Sequence, residues 1–222
     1  MQFKIASVDA FIINFSKEIS LETSHKVKFY FEEVKQLKGI VDLVPSYTTL
    51  LITFDIFETS FDDLKAAILK IVYENSSAIL NNKRIIVPVF YDLEVGYDLE
   101  RIANYHNISI KEVISYHTSL EYNVFAIGFA PGFAYLGEVS ENIAMARLSS
   151  PRKLVPKGSV AIADKQTAIY PEDSPGGWNI IGRTPFKMFD KKLESLSPVS
   201  MGDTIIFKSV GKQEFLDLGG VI

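Results

Sequence analysis

The hydrophobic period of this chain changes part-way along, and that change constrains the fold more than any other feature. In the first third, apolar residues recur at helical spacing: Val27, Tyr30, Phe31, Val34 and Leu37 form one stripe, and Leu64, Ala67, Ile68, Ile71 and Val72 form another. Ser20 or Thr23 can accept from the free N–H groups opening the first helix, and Gly39 can supply its left-handed stop. Ser60 with Asp63 makes a capping-box-like start for the second. The β-rich runs Ala10–Phe15 and Leu50–Phe54 flank the first helix. From Tyr122 onward the pattern is short apolar runs, at Val124–Ile127, Val160–Ala163, Thr167–Tyr170, Ile180–Ile181, Phe186–Phe189 and Thr204–Phe207, separated by Gly, Pro, Ser and Asp.

One hydrophobic layer cannot serve both periods, so the expectation is an α+β chain of two domains. Residues 1–84 form two helices on one face of a small antiparallel sheet, with or without the strand Ile85–Phe90, and residues 85–222 form a β-barrel. The segment Glu74–Arg84 is the expected boundary. Two short helices precede the barrel strands, one capped by Asp98 and one by Ser109 with Glu112 in a capping box.

Charge and composition remove several functions. There are 23 Lys+Arg against 27 Asp+Glu, a formal net charge of −4, which supplies no broad positive field for nucleic acid or anionic lipid. The chain has no cysteine, which excludes disulfides and thiolate chemistry and suits a reducing cytoplasm. No apolar run reaches the ~20 residues of a membrane helix, and the N-terminus does not read as a signal peptide. His25 and His106 offer no metal-ligand spacing, so no metal site is expected.

Chemistry concentrates in the loops. Gly128–Phe133, with Pro131 and Gly132, is a glycine-bearing loop after a strand, but no G-x-x-x-x-G-K-S/T occurs; ATP, if bound here, is not held by a P-loop. Pro151–Gly158 reads as a stiff loop that would hold Arg152, either as a solvated charge or as a functional one. In the functional reading it is an exposed binding group, so Arg152→Ala would change stability by no more than ~0.5 kcal/mol while lowering activity. Pro171–Trp178 joins a Pro175–Gly176 turn, Gly177 and the only tryptophan, Trp178, which is either a plug on the barrel or an aromatic wall for a ligand. His117 shares a helix face with Ile110, Val113 and Ile114, as a packed core histidine or as a site group. Ser159, His117 and Asp98 can be assembled into a triad on paper, although no G-x-S-x-G elbow is present.

Taken together, Phe129–Gly137, Ser150–Arg152, Val155–Ser159, Gln166–Pro171 and Ser174–Pro185, with Asp98–Glu100, His117 and Val44–Tyr47 upstream, resemble the 5-oxoprolinase B-subunit family. That family is similar to the allophanate hydrolase subunit 1 part of urea carboxylase and to inhibitors of a sporulation histidine kinase. The resemblance implies a ferredoxin-like N-terminal domain and a cyclophilin-like barrel, forming half of a carboxyltransferase-type module. It implies 5-oxoprolinase subunits C and A as partners and ATP as the co-substrate that drives 5-oxoproline to glutamate, with ATP sited on this chain or on a partner. The alternatives it carries are inhibition of a sensor histidine kinase by protein–protein binding, and a role as an allophanate hydrolase or urea carboxylase-related subunit. It implies catalytic roles for His117 and Arg152. Substrate or partner contacts would come from Pro131, Gly132, Tyr135, Gln166, Thr167, Tyr170, Ser174, Gly176, Gly177, Trp178 and Arg183.

Overall fold

In a computed structural model, residues 1–73 and 82–222 are described. The expected boundary segment falls largely on residues 74–81, outside the described residues. The chain divides into two compact units, Met1–Asn82 and Lys83–Ile222.

The first unit is a four-stranded antiparallel sheet in the order β1-β2-β4-β3, built from β1 (Gln2–Ser7), β2 (Ala10–Asn14), β3 (Ile40–Pro45) and β4 (Thr49–Phe54). Helices α1 (Leu21–Val34) and α2 (Phe61–Leu69) complete it. Phe11 pairs with Ile52 and Ile13 with Leu50, so these four residues share one face. They form a core with Tyr30 and Val34 of α1 and Leu64 and Ile68 of α2. Each fully buried aliphatic or aromatic side chain there contributes roughly 1.5–3 kcal/mol of transfer free energy.

The helix starts agree with the caps: Ser20 Oγ accepts from Thr23 N and Ser60 Oγ from Asp63 N. The helix ends do not follow the stripes. α1 stops at Val34, so Leu37 lies beyond it and Gly39 leads into β3; α2 stops at Leu69, leaving Ile71 and Val72 outside. In both cases apolar spacing continues past the last helical residue because these side chains are adjacent in sequence to the helix without being on it. Strand β1 carries little strand signal in its sequence, since five of its six residues are exposed and only Phe3 packs against the core. It occupies the edge beside β2. Strand β5 (Arg84–Phe90) belongs to the other unit, where it runs parallel to β13 (Thr204–Val210).

The second unit is a closed seven-stranded barrel, ordered β10-β7-β6-β13-β5-β12-β9. Its further strands are β6 (Glu121–Ile127), β7 (Ala134–Gly137), β9 (Ser159–Ala163), β10 (Gln166–Ile169) and β12 (Asn179–Arg183). Val87, Val89, Val124, Leu136, Val160, Ile162, Ile169, Ile181, Ile205 and Phe207 fill one core with residues of α3 (Leu99–His106) and α4 (Ile110–Thr118). The Ser109–Glu112 capping box opens α4 as expected. Helix α5 (Lys212–Asp217) packs Phe215 with Phe90, Val95 and Val210.

Two loops expected from sequence are instead a ribbon. β8 (Arg152–Val155) pairs antiparallel with β11 (Ser174–Gly176), so Pro175–Gly176 lies in an edge strand and not in a turn. Conversely, Phe186–Phe189 is not a strand. Pro185 withholds an N–H, Phe186 N turns to Thr184 Oγ1, and Met188 drops into the barrel core.

Candidate functional site at the barrel rim

Side-chain parity along the barrel strands decides what the site contains. On β9, Val160 and Ile162 face the barrel core while Ala161 and Ala163 face outward; on β10, Ile169 faces in while Ala168 faces out; on β12, Ile181 faces in and Ile180 out. The outward residues are small where rings must lie on them. Phe133, Tyr170 and Trp178 pack onto that alanine surface, with Tyr135 against them. Phe133 meets Tyr170 at 5.3 Å and Trp178 at 5.8 Å between centroids, both edge to face, and Tyr135 at 4.9 Å. Gly132 lies at φ +81 with its α-carbon against the Met188 carbonyl, and Gly176 lies against the Tyr170 hydroxyl. A side chain at either position would push the loop or the ribbon off this layer.

Guanidinium groups surround the aromatic layer. Asp98 does not cap α3 with its side chain. Its Oδ2 accepts from Ile180 N at 2.7 Å and its Oδ1 from Arg152 Nη2 at 2.8 Å, while its own N–H donates to Ile180 O at 2.8 Å. Arg152 also reaches Trp178 O at 3.4 Å and lies 6.0 Å over the Tyr97 ring. Arg183 Nη2 donates to Tyr97 Oη at 3.0 Å, so one tyrosine touches both arginines. Arg147 lies 5.5 Å over the Trp178 indole. Asn179 holds the adjacent segment by donating to Ala146 O and Ile162 O, each at 3.0 Å, and accepts from Arg101 Nη1. Among the described residues, Asp98 is the carboxylate in ion-pair contact with any of these four arginines. The rim is therefore locally electropositive on a chain of net charge −4.

Burial raises the Tyr170 hydroxyl pKa above its ordinary value, while the Trp178 backbone N–H and the charges of Arg147 and Arg152 act in the opposite sense. Tyr170 stays a neutral hydroxyl at neutral pH.

His117 sits on the other side of the sheet. It is fully buried between the rings of Tyr122 and Phe207, at 5.3 and 4.5 Å between centroids. Thr167 Oγ1 donates its proton to Ala161 O at 3.0 Å, so His117 Nε2 donates to Thr167 Oγ1 at 2.9 Å and Nδ1 accepts from Tyr91 Oη at 2.7 Å. Both nitrogens are engaged and the ring is neutral. Burial pushes its pKa down to about 3.

The family model for "Carboxyltransferase domain, subdomain C and D" matches residues 1–199. The chain is 35% identical over 220 residues to the B subunit of the 5-oxoprolinase of Bacillus subtilis (strain 168), covering 93% of this chain and 91% of that one. The chain belongs to the 5-oxoprolinase B-subunit family. Among solved structures, the protein TTHA0988 superimposes with a TM-score of 0.82 at 30% identity. The match covers 91% of this chain but 40% of TTHA0988, so this chain spans well under half of that one. Urea carboxylase of Kluyveromyces lactis shares the fold, with a TM-score of 0.76 at 17% identity, over 97% of this chain and 22% of that one.

Within this member of the 5-oxoprolinase B-subunit family, the structure brings together only some of the residues expected from sequence. Tyr135, Tyr170, Gly176, Gly177, Trp178 and Arg152 converge on the outer face, Gly132 shapes the loop above it, and Arg183 joins through Tyr97. Ser174 lies on the ribbon opposite Val155, and Pro131 is exposed on the Gly128–Phe133 loop. Gln166 lies at the far end of β10 from Tyr170. Thr167 and His117 are separated from all of these by the sheet itself, because position 167 has the inward parity of Ile169. The paper triad does not form: Asp98 serves Arg152 and Ile180, and His117 serves Tyr91 and Thr167.

Tyr97, Arg101, Arg147 and Asn179 belong to the site although the sequence does not single them out. Tyr97 directly precedes Asp98 and Asn179 lies within the Ser174–Pro185 motif, so membership of a motif or proximity to one is the usable signal. Arg101 and Arg147 carry none. Arg152 is also not a solvated loop charge, since its side chain is 27% exposed and paired to a carboxylate that is 5% exposed.

The buried histidine predicts a pH effect. Its folded pKa of about 3 lies below the ordinary 6.5, so above ~6.5 both states are neutral and it contributes no pH dependence. As pH falls below 6.5 the unfolded chain takes up a proton that the folded chain refuses, and stability is lost at up to ~1.4 kcal/mol per pH unit until about 3. Melting temperatures measured from about pH 7 down to about pH 4 should fall less steeply in His117→Gln than in the parent. Parallel slopes would show that the proton is accommodated in the folded core.

Proposed function

We propose that this chain is the B subunit of an ATP-dependent 5-oxoprolinase, silent alone and active with subunits C and A. The observation that carries the reading is the 35% identity to a 5-oxoprolinase B subunit across nearly the full length of both chains. A second support is TTHA0988, in which the same fold occupies 40% of a longer chain, as expected if this unit works as part of a larger module.

The chemistry asks for an electropositive, partly dry surface. A lactam resists water because its nitrogen lone pair is delocalised into the carbonyl. Transfer of the terminal phosphoryl group of ATP to the amide oxygen releases ADP and makes the carbon electrophilic. Water adds there and gives up its proton, the C–N bond breaks with the nitrogen taking a proton, and the acyl phosphate so formed is hydrolysed by a second water, releasing phosphate and leaving glutamate. 5-Oxoproline, ATP and the phosphorylated intermediates are all anions, so fixed guanidiniums lower the energy of bringing them together. Arg152 suits that role because Asp98 holds it in one orientation, its remaining N–H groups meet no acceptor among the described residues, and it is partly exposed. Arg147 over Trp178 adds a second cation, and the ring layer excludes water from one side. The sequence has no P-loop, and this reading assigns ATP to a partner chain.

The test is co-purification with candidate subunits C and A followed by an ATP-dependent 5-oxoproline assay. The chain alone should give no turnover and the assembled complex should. In that complex Arg152→Lys, which keeps a cation beside Asp98, should cost at least about tenfold in activity, or roughly 1.4 kcal/mol of transition-state stabilisation, with assembly intact. Robust turnover by the purified chain alone would sink the reading.

A further inference from the structure

Tyr97 is where two anchored guanidinium groups of the rim meet, and its hydroxyl proton has no acceptor among the described residues. The backbone on either side fixes its place. Gly96 lies so close to the Ile181 carbonyl that a Cβ would stand 2.5 Å from it, and the Asp98 N–H donates to Ile180 O at 2.8 Å, so residues 96 and 98 are both held to β12. Tyr97 itself is 47% exposed. Its oxygen accepts from Arg183 Nη2 at 3.0 Å, which directs the phenolic proton away from Arg183. Arg183 is 7% exposed and no carboxylate among the described residues forms an ion pair with it, whereas the charge of Arg152 is met by Asp98. The outer end of the Arg183 guanidinium finishes on Tyr97 Oη and, at 3.1 Å, on the carbonyl of the exposed Val221. A cation held beneath the surface without a counter-ion therefore acts outward through the hydroxyl it donates to.

We propose that Tyr97 donates a hydrogen bond to the anion that Arg152 binds, with Arg183 as the residue that positions it. Arg152 lies 6.0 Å over the Tyr97 ring. A guanidinium so placed is about 6–7 Å from the ring's hydroxyl oxygen, a gap that one carboxylate or phosphate closes with an oxygen on each donor, since each hydrogen bond spans about 2.8 Å. No cavity is required, because solvent reaches both residues: the Arg152 side chain is 27% exposed and Tyr97 47%. What the pair offers a ligand is N–H and O–H, which suits an oxyanion and not a cation. Asp98 has both oxygens engaged, by Arg152 and by Ile180 N, and Arg183 supplies the positive charge that the Asp98–Arg152 pair lacks. The donor pair stands on these contacts alone; that its anion is the carboxylate of 5-oxoproline or the phosphoryl group transferred to it rests on the function proposed above.

The test follows the Tyr97 hydroxyl by NMR on the full chain labelled with 13C at tyrosine Cζ, alone and in the assembled complex, while 5-oxoproline or inorganic phosphate is added. The signal is assigned by its loss in Tyr97→Phe. It should move saturably with at least one of the two anions, and the anion that moves it identifies the source. Tyr97→Phe keeps the ring beneath Arg152 and removes only the donor, so it should bind that anion about tenfold more weakly, as for one hydrogen bond to a charged acceptor, and should lower kcat/KM in the complex by a similar factor with assembly intact. Arg183→Lys, which keeps a charge but not the fork, should displace the Tyr97 signal before any anion is added and weaken binding; an unmoved signal with unchanged affinity would leave Arg183 no part in the site. A Tyr97 signal indifferent to both anions, alone and in the complex, or equal affinity in Tyr97→Phe, overturns the proposal, and the proposed function survives that result if the complex still turns over. If Tyr97 responds but the assembled complex never hydrolyses 5-oxoproline, the donor pair stands and the proposed function falls.

Discussion

Replacing Asp98 with alanine is expected to destabilise the barrel unit by about 3 kcal/mol, a larger loss than any surface charge in this chain would produce. The carboxylate is 5% exposed and serves two donors from distant parts of the chain, Arg152 Nη2 and Ile180 N. Alanine leaves the Ile180 N–H without its 2.7 Å acceptor inside the wall and strips the counter-ion from a guanidinium that is 27% exposed. The partial exposure of Arg152 keeps the expected loss at the lower end of the range for a broken buried pair. Thermal unfolding should shift down by roughly 6–12 °C. Asp98→Asn should lose less, because the amide oxygen can still accept from Ile180 while its NH2 meets Arg152 unfavourably. A loss under about 1 kcal/mol for alanine would place the pair with ordinary surface ion pairs. By the same reasoning Arg152→Ala is expected to destabilise the fold, which is why Arg152→Lys is the cleaner variant for activity.

Trp178→Ala is expected to cost about 3–5 kcal/mol, the range for emptying a buried large aromatic site. The indole is 4% exposed, is contacted edge-on by Phe133, and lies beside Tyr135 at 6.0 Å. Ala161, Ala163 and Ala168 beneath this layer cannot extend to fill the space, so little of the cavity collapses. Denaturant unfolding followed by circular dichroism is the appropriate measurement, because this substitution removes the only tryptophan. Trp178→Phe should recover part of the loss. In the assembled complex the alanine variant should also lose activity, since Arg147 no longer has a ring to lie on. A stability change under about 1 kcal/mol would mean that the ring caps the layer without filling it.

These two residues show how far local pattern reaches. Trp178 is legible in the sequence as either plug or wall; the structure buries it in the outer layer, with Arg147 over its ring. Asp98 reads as a helix cap because the local pattern, an acid before an amphipathic run, has that meaning at most helix starts. Its partners lie 54 and 82 residues along the chain, beyond any local signal.

The sequence by itself determined the change from helical to strand periodicity, the starts of α1, α2 and α4, the barrel strands with long apolar runs, and the family. Those features depend on residues within a turn or two of each other, or on ordered motifs that need no geometry. Tertiary structure decided which unit claims β5, that the Pro151–Gly158 and Pro171–Trp178 segments pair as a ribbon, and which side of the barrel wall each motif residue faces. The last of these split one contiguous motif, sending Thr167 inward to His117 and Tyr170 outward to the arginine rim. A strand presents successive side chains to opposite faces, so adjacent motif residues are assigned to different sites. Only closure of the barrel decides which face is core and which is rim.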